Sequence, residues 1–318
     1  MGAGRVGAGQ RLVGSRHRII GLRGETSRLR EQRMVRSATV GARPIRVTDI
    51  GWRALVLFAG GRQASARPLA ALSRSLYLDI AGDVVWLGPP GSTLHARAMI
   101  ADTALDDGSG DAVPQIEISL ARVWRPPALP TGIARDAMAR AAADLARTAS
   151  GLDRPEGFGA LLAGARPSFP LERAVDDVTA FLAACAAGEA SMAASKAERL
   201  LGLGPGLTPA GDDLVGGAFF ARRILAEAGV EDDVAAWRAA AETIRARAEG
   251  RTHRISAALL GDLVDGHGYA PLHELAVALA CGNASLARDA VARLISIGHS
   301  SGWDLLAGFL GALGALPD

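Results

Sequence analysis

The amino-acid sequence predicts an α+β protein, with a small β-rich sheet or barrel domain followed by an all-α helical domain. Short apolar runs separated by turn residues occupy 45–125, which is typical of a small sheet or barrel. Beyond a proline-rich linker at 126–131, the segment 132–318 contains long alanine-rich stretches with a helical apolar face. With 49% hydrophobic and 21% charged residues, the chain of 318 residues can bury a sizeable core.

The first 44 residues form an arginine-rich tail that we keep outside the fold. They contain ten arginines and two acids, which gives +8. Since the whole chain carries +2, the rest carries −6, and this balance does not suggest a nucleic-acid partner. The tail fits a mis-assigned start with Met34 as the true start, a disordered basic arm or a transit peptide.

Cysteine use and hydropathy favour a cytoplasmic protein. Cys185 and Cys281 lie far apart in alanine-rich contexts, which indicates buried thiols in a reducing compartment. No apolar run is long enough to span a membrane, and the arginine-rich start lacks the apolar segment of a signal peptide.

The β-rich part is predicted to contain strands of alternating or continuous apolar character. A hairpin is expected around the Gly82-Asp83 corner, and an Asp/Gly-rich loop covers 106–111. The predicted strands are 45–47, 54–59, 75–80, 84–88, 98–101 and 115–120.

The second part is predicted to be helical throughout. Apolar periodicity, with prolines before and glycines after the segments, sets the boundaries. The predicted helices are 134–149, 171–187, 189–201, 211–229, 232–248, 252–263, 272–280, 285–297 and 303–313.

Two glycine-rich loops in this part share one pattern, G-x-D-L-[VL]-x-G, at 211–217 and 302–308. Hydroxyl residues precede both: Thr208 in the first, Ser300 and Ser301 in the second. Each loop opens an apolar helix whose early glycines disfavour helix formation unless a backbone or ligand comes close. Either the two helix N-termini converge on one polar pocket, or the loops are ordinary helix caps within an old duplication.

The aspartates of these loops conflict with simple anion binding. Helix N-termini attract anions, whereas Asp212, Asp213 and Asp304 repel them. Three arrangements resolve the conflict. The carboxylates cap the helices, with Thr208 as another cap candidate; Asp212 and Asp213 hold Mg²⁺ that bridges to a phosphate; or they bind a neutral amide or amine of the substrate.

Other polar residues extend the candidate site. Thr252 and Ser256 are four apart on one helix face, and Arg254 between them suits a carboxylate or phosphate. His299 lies within a glycine-serine loop and can titrate near neutrality. His95 reaches such a pocket only if the β-rich part covers it.

The motifs at 204–213 (GPGLTPAGDD), 252–256 (THRIS) and 298–304 (GHSSGWD) resemble the AllH-type family, a subunit of oxamate carbamoyltransferase. The resemblance covers roughly 50–318 and is most specific in the helical part. Ala210 stands where serine is commoner, so a hydroxyl there is not essential.

The resemblance implies a role in allantoin and purine breakdown, in which oxalurate and phosphate give oxamate and carbamoyl phosphate. It also implies FdrA-like and AllG-like partner subunits in a multi-subunit complex. A non-catalytic binding or assembly subunit and, more remotely, a metal-dependent phosphotransferase remain alternatives. For that reaction we assign catalytic roles to His299, Asp213 and Thr208. We expect substrate binding by Gly204, Gly206, Gly211, Thr252, Arg254, Ser256, Ser300, Ser301, Gly302 and Asp304.

Overall fold

A computed structural model describes residues 44–59, 62–105, 113–149 and 155–316, and it confirms the predicted fold class. Residues 1–43 of the predicted tail and the Asp/Gly-rich loop at 106–111 lie outside these ranges. From Pro44 onward the chain forms one compact unit. Its division into two domains and a linker stays a prediction.

The β-rich part forms one mixed sheet. In the described residues the strand order is β2-β3-β4-β5-β1-β6, with β7 also paired to β1. Strands β2, β3 and β4 are antiparallel neighbours, whereas β4 runs parallel to β5. The strands are β1 (Ile45–Gly51), β2 (Ala66–Ala71), β3 (Leu76–Ile80), β4 (Asp83–Gly88), β5 (Ala98–Ala101), β6 (Ile116–Glu117) and β7 (Arg122–Trp124).

The predicted strand at 54–59 is wrong, because this segment belongs to helix α1 (Trp52–Ala59). The helix begins where the amides of Arg53 and Ala54 both donate to the carbonyl of Ala96, at 3.0 Å each. Ala54, Leu57 and Phe58 are buried, which is helical spacing. A short apolar run does not distinguish the two structures by itself, and this segment buries three positions on one helix face.

The predicted hairpin joins β3 to β4, with a turn one residue earlier than expected. Ile80 pairs with Asp83, so the two turn residues are Ala81 and Gly82. Both have positive φ, 53° and 92°, as a two-residue hairpin turn requires. The amide of Gly82 donates to Asp79 Oδ1 at 2.8 Å and closes the turn.

The helical part agrees closely with the predicted segments, although its helix ends differ by a few residues. A short 3₁₀ helix at Gly157–Ala163 is additional, and the predicted helix 171–187 begins with a 3₁₀ turn at Leu171–Ala174. The helices are α2 (Arg135–Ala149), α3 (Val175–Ala187), α4 (Ala190–Ala197), α5 (Ala210–Glu227), α6 (Val234–Ala248), α7 (Arg254–Val264), α8 (Ala270–Ala280), α9 (Ala284–Ile295) and α10 (Ser301–Ala312).

Helices α5 and α10 cross in direct backbone contact at the centre of this part. A Cβ on Gly217 would overlap the carbonyl oxygen of Leu305, and one on Gly308 would overlap that of Leu214. These four residues are equivalent in pairs in the shared pattern, so the crossing is nearly symmetric. The glycines therefore let the two helix backbones approach closely. This explains why the pattern keeps glycines early in both helices.

Charged and backbone bonds attach the sheet to the helical part. The Arg97 side chain, only 4% exposed, donates from Nε to Asp262 Oδ2 of α7 at 2.7 Å. Arg53 donates to the same carboxylate at 2.7 Å. The amide of Ala270 at the start of α8 donates to the carbonyl of Leu94 at 2.8 Å. These bonds fix the sheet beside the loops that precede α5 and α10.

Candidate functional site

The helix N-termini of α5 and α10 lie side by side. Thr208 Oγ1, just before α5, is 3.0 Å from Ser301 Oγ, the first residue of α10. This contact joins the two loops that share the sequence pattern. The prediction that the two N-termini face each other is confirmed.

A cleft of about 1180 Å³ opens over these hydroxyls. Both loops contribute to it, the sheet forms a second part of its lining, and the segment 155–171 forms a third. The sheet therefore covers the site, and this is the condition under which His95 was expected to reach it. The cleft lining includes Tyr77, Trp86, His95, Glu156, Arg166, Gly206, Thr208, Tyr269, His299, Ser300 and Ser301.

Asp213 lies beneath the two hydroxyls. Its side chain is 4% exposed and forms hydrogen bonds with Ser301 and Thr208, while Oδ2 has no partner. Burial raises the pKa of Asp213 well above its ordinary value, and the nearby carboxyls of Asp304 and Asp212 raise it further. The hydroxyl hydrogen bonds act in the opposite direction. Asp213 thus favours the protonated form and can exchange a proton with Thr208 or Ser301.

Asp212, although adjacent in sequence, serves another purpose. Its carboxylate accepts hydrogen bonds from the amide of Gly202 at 2.8 Å, from Ser256 Oγ at 2.6 Å and from Thr252 Oγ1. The predicted capping role is wrong for Asp212 and Thr208, because Pro209 is the N-cap and makes no side-chain cap bond. Asp212 instead holds the start of α7 against the start of α5.

The proposed metal pair does not converge. Asp212 faces the start of α7, whereas Asp213 faces the hydroxyls before α10. Consecutive helix residues point about 100° apart, so the two carboxyls have no common ion position. The described residues also contain no group of three or more histidine, cysteine or acidic side chains able to hold a metal.

Asp304 is the pattern equivalent of Asp213 in α10, and it is fully buried. Its Oδ1 accepts from the amide of Phe158 at 2.6 Å, and Oδ2 has no partner. Its pKa is raised to about 7, mainly by burial and to a smaller extent by Glu156, while hydrogen bonds from Phe158 and Ser300 act in the opposite direction. A Cβ on Gly157, where φ is +55°, would overlap this carboxyl. Asp304 therefore anchors the 155–171 segment.

His299 lies at the mouth of the cleft, with its side chain 91% exposed. Its Nδ1 is 3.3 Å from Glu156 Oε2, so an acid lies beside a titratable ring at the cleft. Ser300 follows it and lines the same surface. This arrangement leaves Nε2 of His299 available to a ligand.

The four glycines proposed for substrate binding divide into two groups. Gly206 lines the cleft with φ of +98°, and Gly204 has φ of +112° in the same loop. A Cβ on Gly211 would overlap the carbonyl oxygen of Leu200. The same is true of Gly302 and Leu294, the matching position of the second loop. Gly211 and Gly302 therefore permit packing of each helix start against the preceding helical segment.

The structure does not bring Arg254 to the cleft. Its Nη1 donates to Asp79 Oδ2 of the sheet at 2.8 Å, and this hydrogen bond is the main cause that raises the pKa of Arg254. Thr252 and Ser256 donate to Asp212, as described above, and do not line the cleft either. Sequence spacing places these three residues near the start of one helix, as the structure also shows. Their hydrogen-bond partners, however, lie in β3 and α5 and outside the cleft lining.

Sequence reasoning missed most of the residues of the sheet and of the 155–171 segment that line the cleft. Tyr77 lines the cleft, and Trp86 and Tyr269 lie beside His95, whose ring centroid is 5.7 Å from that of Trp86 and 5.1 Å from that of Tyr269. Burial, and to a smaller extent the charge of Arg97, lowers the pKa of His95 to about 3. None of these residues lies in a motif, so only the fold brings them to the site.

Comparison with known proteins supports the resemblance in the helical part. The family model described as oxamate carbamoyltransferase subunit AllH matches residues 200–313. This segment contains α5 to α10 and both glycine-rich loops. No curated protein and no solved structure matches the chain. The helices that the structure describes include none of the length and hydropathy needed to cross a bilayer.

Proposed function

We propose that this chain is a subunit of a carbamoyltransferase and that its cleft binds a small carbamoyl substrate together with phosphate. The observation that carries the proposal is the contact between Thr208 and Ser301 above a buried Asp213. The family match contributes the class of reaction, since its description is a subunit of oxamate carbamoyltransferase. A cleft over these residues favours a catalytic role over a purely structural one.

The specific reaction we propose is phosphorolysis of oxalurate to oxamate and carbamoyl phosphate. A phosphate oxygen attacks the carbamoyl carbon, and the bond from that carbon to the oxamate nitrogen breaks. The nitrogen then needs a proton. His299 Nε2 supplies it, because Nδ1 faces Glu156 at 3.3 Å.

The loop before α5 supplies donors for the attacking anion. The amides of Gly206, Leu207 and Thr208 donate to no backbone carbonyl within the part of the chain that the structure describes. They lie at a helix N-terminus, where the helix dipole favours an anion. This loop is therefore the phosphate position in our proposal.

Asp213 and the two hydroxyls act on the carbamoyl group. A protonated Asp213 donates to one hydroxyl, and Thr208 or Ser301 then donates to the developing oxyanion. Burying a neutral carboxyl costs less free energy than burying a charged one, and this difference raises the pKa of Asp213. Asp213 thus orients the hydroxyls as donors, and its proton passes along this hydrogen-bond chain when the oxyanion forms, a step that an asparagine amide cannot replace.

The test is the assembled enzyme. The chain is co-expressed with the FdrA-like and AllG-like subunits, and carbamoyl phosphate formation from oxalurate and phosphate is measured in the purified complex. We expect His299→Ala and Asp213→Asn to lower kcat, while Arg140→Gln, an exposed change on α2, leaves it unchanged. Full activity in both site variants would show that the catalytic groups lie in a partner, and no turnover by the wild-type complex would exclude the reaction.

A further inference from the structure

The cleft is almost uncharged, and its charges lie on one segment. Among the described lining residues, Arg166 is the one arginine or lysine, and Glu156 is the one carboxylate. Both belong to the segment 155–171. Any anionic group that enters the cleft therefore has a single guanidinium with which to pair.

Arg166 is also free to form that pair. Its side chain is exposed, and within the described residues it makes no ion pair and no hydrogen bond. The arginines between the sheet and α7, by contrast, are already engaged. Arg97 and Arg53 bind Asp262, and Arg254 binds Asp79.

The sheet side of the cleft offers no competing charge near neutral pH. His95 stays neutral because burial lowers its pKa, and burial raises the pKa of Tyr77 to about 12. The aromatic rings of Tyr77, Trp86 and Tyr269 complete this lining. Such a surface suits the flat, neutral part of a ureido compound.

We propose that Arg166 binds the oxyanion of the cleft's ligand. This inference rests on the proposed function and deepens it. A guanidinium binds a carboxylate or a phosphate through two parallel hydrogen bonds, so both share the chemistry required. Either the carboxylate of oxalurate or the phosphate co-substrate can supply the oxyanion, and the kinetics distinguish them.

The experiment measures kcat and both KM values of the assembled complex with Arg166→Gln, Arg166→Lys and the control Arg140→Gln. We expect Arg166→Gln to raise the KM for one oxyanion substrate by about 30-fold. This factor corresponds to the loss of about 2 kcal/mol of binding free energy, which is typical of a hydrogen bond to a charged group. Elevation of the KM for oxalurate identifies its carboxylate as the partner, and elevation of the KM for phosphate identifies phosphate. Arg166→Lys should recover part of the loss.

A neutral analogue separates recognition from structural damage. Oxaluramide, in which an amide replaces the carboxylate, should bind the wild-type complex and Arg166→Gln equally if Arg166 pairs with oxalurate. A lower kcat at unchanged KM values, or kinetics identical to Arg140→Gln, would overturn the inference and leave the proposed function intact. Absence of oxalurate turnover and of oxalurate binding in the wild-type complex would overturn both.

Discussion

The helix starts of α5 and α10 share one sequence pattern, yet their equivalent aspartates have different surroundings. Asp213 hydrogen-bonds the hydroxyls of Thr208 and Ser301 beneath the cleft. Asp304 accepts from the amide of Phe158 and anchors a segment of the cleft lining. One pattern position therefore contacts the cleft hydroxyls in one helix and anchors a lining segment in the other.

The pattern position before these aspartates holds Asp212 in α5 and Trp303 in α10. Both side chains attach a neighbouring segment to their helix. Asp212 accepts bonds from Gly202 and Ser256, which hold neighbouring segments to α5. Trp303 in α10 packs on Gly159, whose Cβ would lie 2.7 Å from that of Trp303. The glycines of the pattern set the backbone crossing, whereas the neighbours of each side chain decide what that side chain does.

The largest expected effect comes from breaking the crossing itself. Gly217→Ala and Gly308→Ala each place a Cβ on a backbone carbonyl of the other helix. Neither helix can relax by a rotamer change, so we expect each variant to lose at least about 3 kcal/mol of unfolding free energy. Urea denaturation of the isolated chain measures the loss.

Gly250→Ala is the matched control for this pair. Its Cβ would meet nothing within 4 Å, and its φ is not positive. We expect a change below about 0.5 kcal/mol. Similar losses in Gly217→Ala and Gly308→Ala support the near symmetry of the crossing, and a tolerated alanine at either position would contradict it.

The second effect separates the two equivalent aspartates by activity. Asp213→Asn keeps the shape but cannot exchange a proton with the hydroxyls, so we expect kcat of the complex to fall about 100-fold. Asp304→Asn keeps an acceptor for Phe158, so we expect a loss below about fivefold. Steady-state kinetics at saturating substrate measures both. Equal losses would mean that the pattern position has one role in both helices.

The fold was largely predictable because its signals are local. Apolar periodicity and terminal glycines identified the long helices of the second part, and the hairpin turn followed from Gly82. The segment 54–59 was not predictable, since its uniform apolar run hides which face is buried. Tertiary contact with Ala96 decides that it is a helix.

The candidate site was predictable only where it is encoded in the two loops. The shared pattern led to Thr208 and Ser301, which the fold brings into contact. Arg254 was expected at the cleft but binds Asp79, which is 175 positions away in the chain. Arg166 and His95 have no motif around them, and only the sheet and the 155–171 segment place them there.

The third effect is the pH dependence of stability that Asp304 confers. The pKa of Asp304 is about 7 in the folded protein, above its ordinary value of 3.8. The proton therefore stabilises the folded state, and this contribution is complete below about pH 4 and is lost as pH rises through 7. Between pH 5 and 8 we expect it to fall by about 2 kcal/mol.

Urea denaturation of the wild type and Asp304→Asn at these two pH values measures the difference. The variant should lose less stability on going to pH 8, because its amide does not titrate. Asp136→Asn, an exposed change on α2, should follow the wild type. Parallel profiles for all three proteins would show that Asp304 carries no pH-linked stability.

The smallest effect tests whether Asp212 is structural, as Trp303 is in the other helix. Ser256→Ala removes the hydroxyl that donates to Asp212 Oδ2 at 2.6 Å, so we expect to lose about 1.5 kcal/mol of unfolding free energy. Because Ser256 does not line the cleft, kcat and KM of the complex should stay at wild-type values. A raised KM with unchanged stability would instead assign Ser256 to the substrate, and the two helix starts would then differ in function at this position as well.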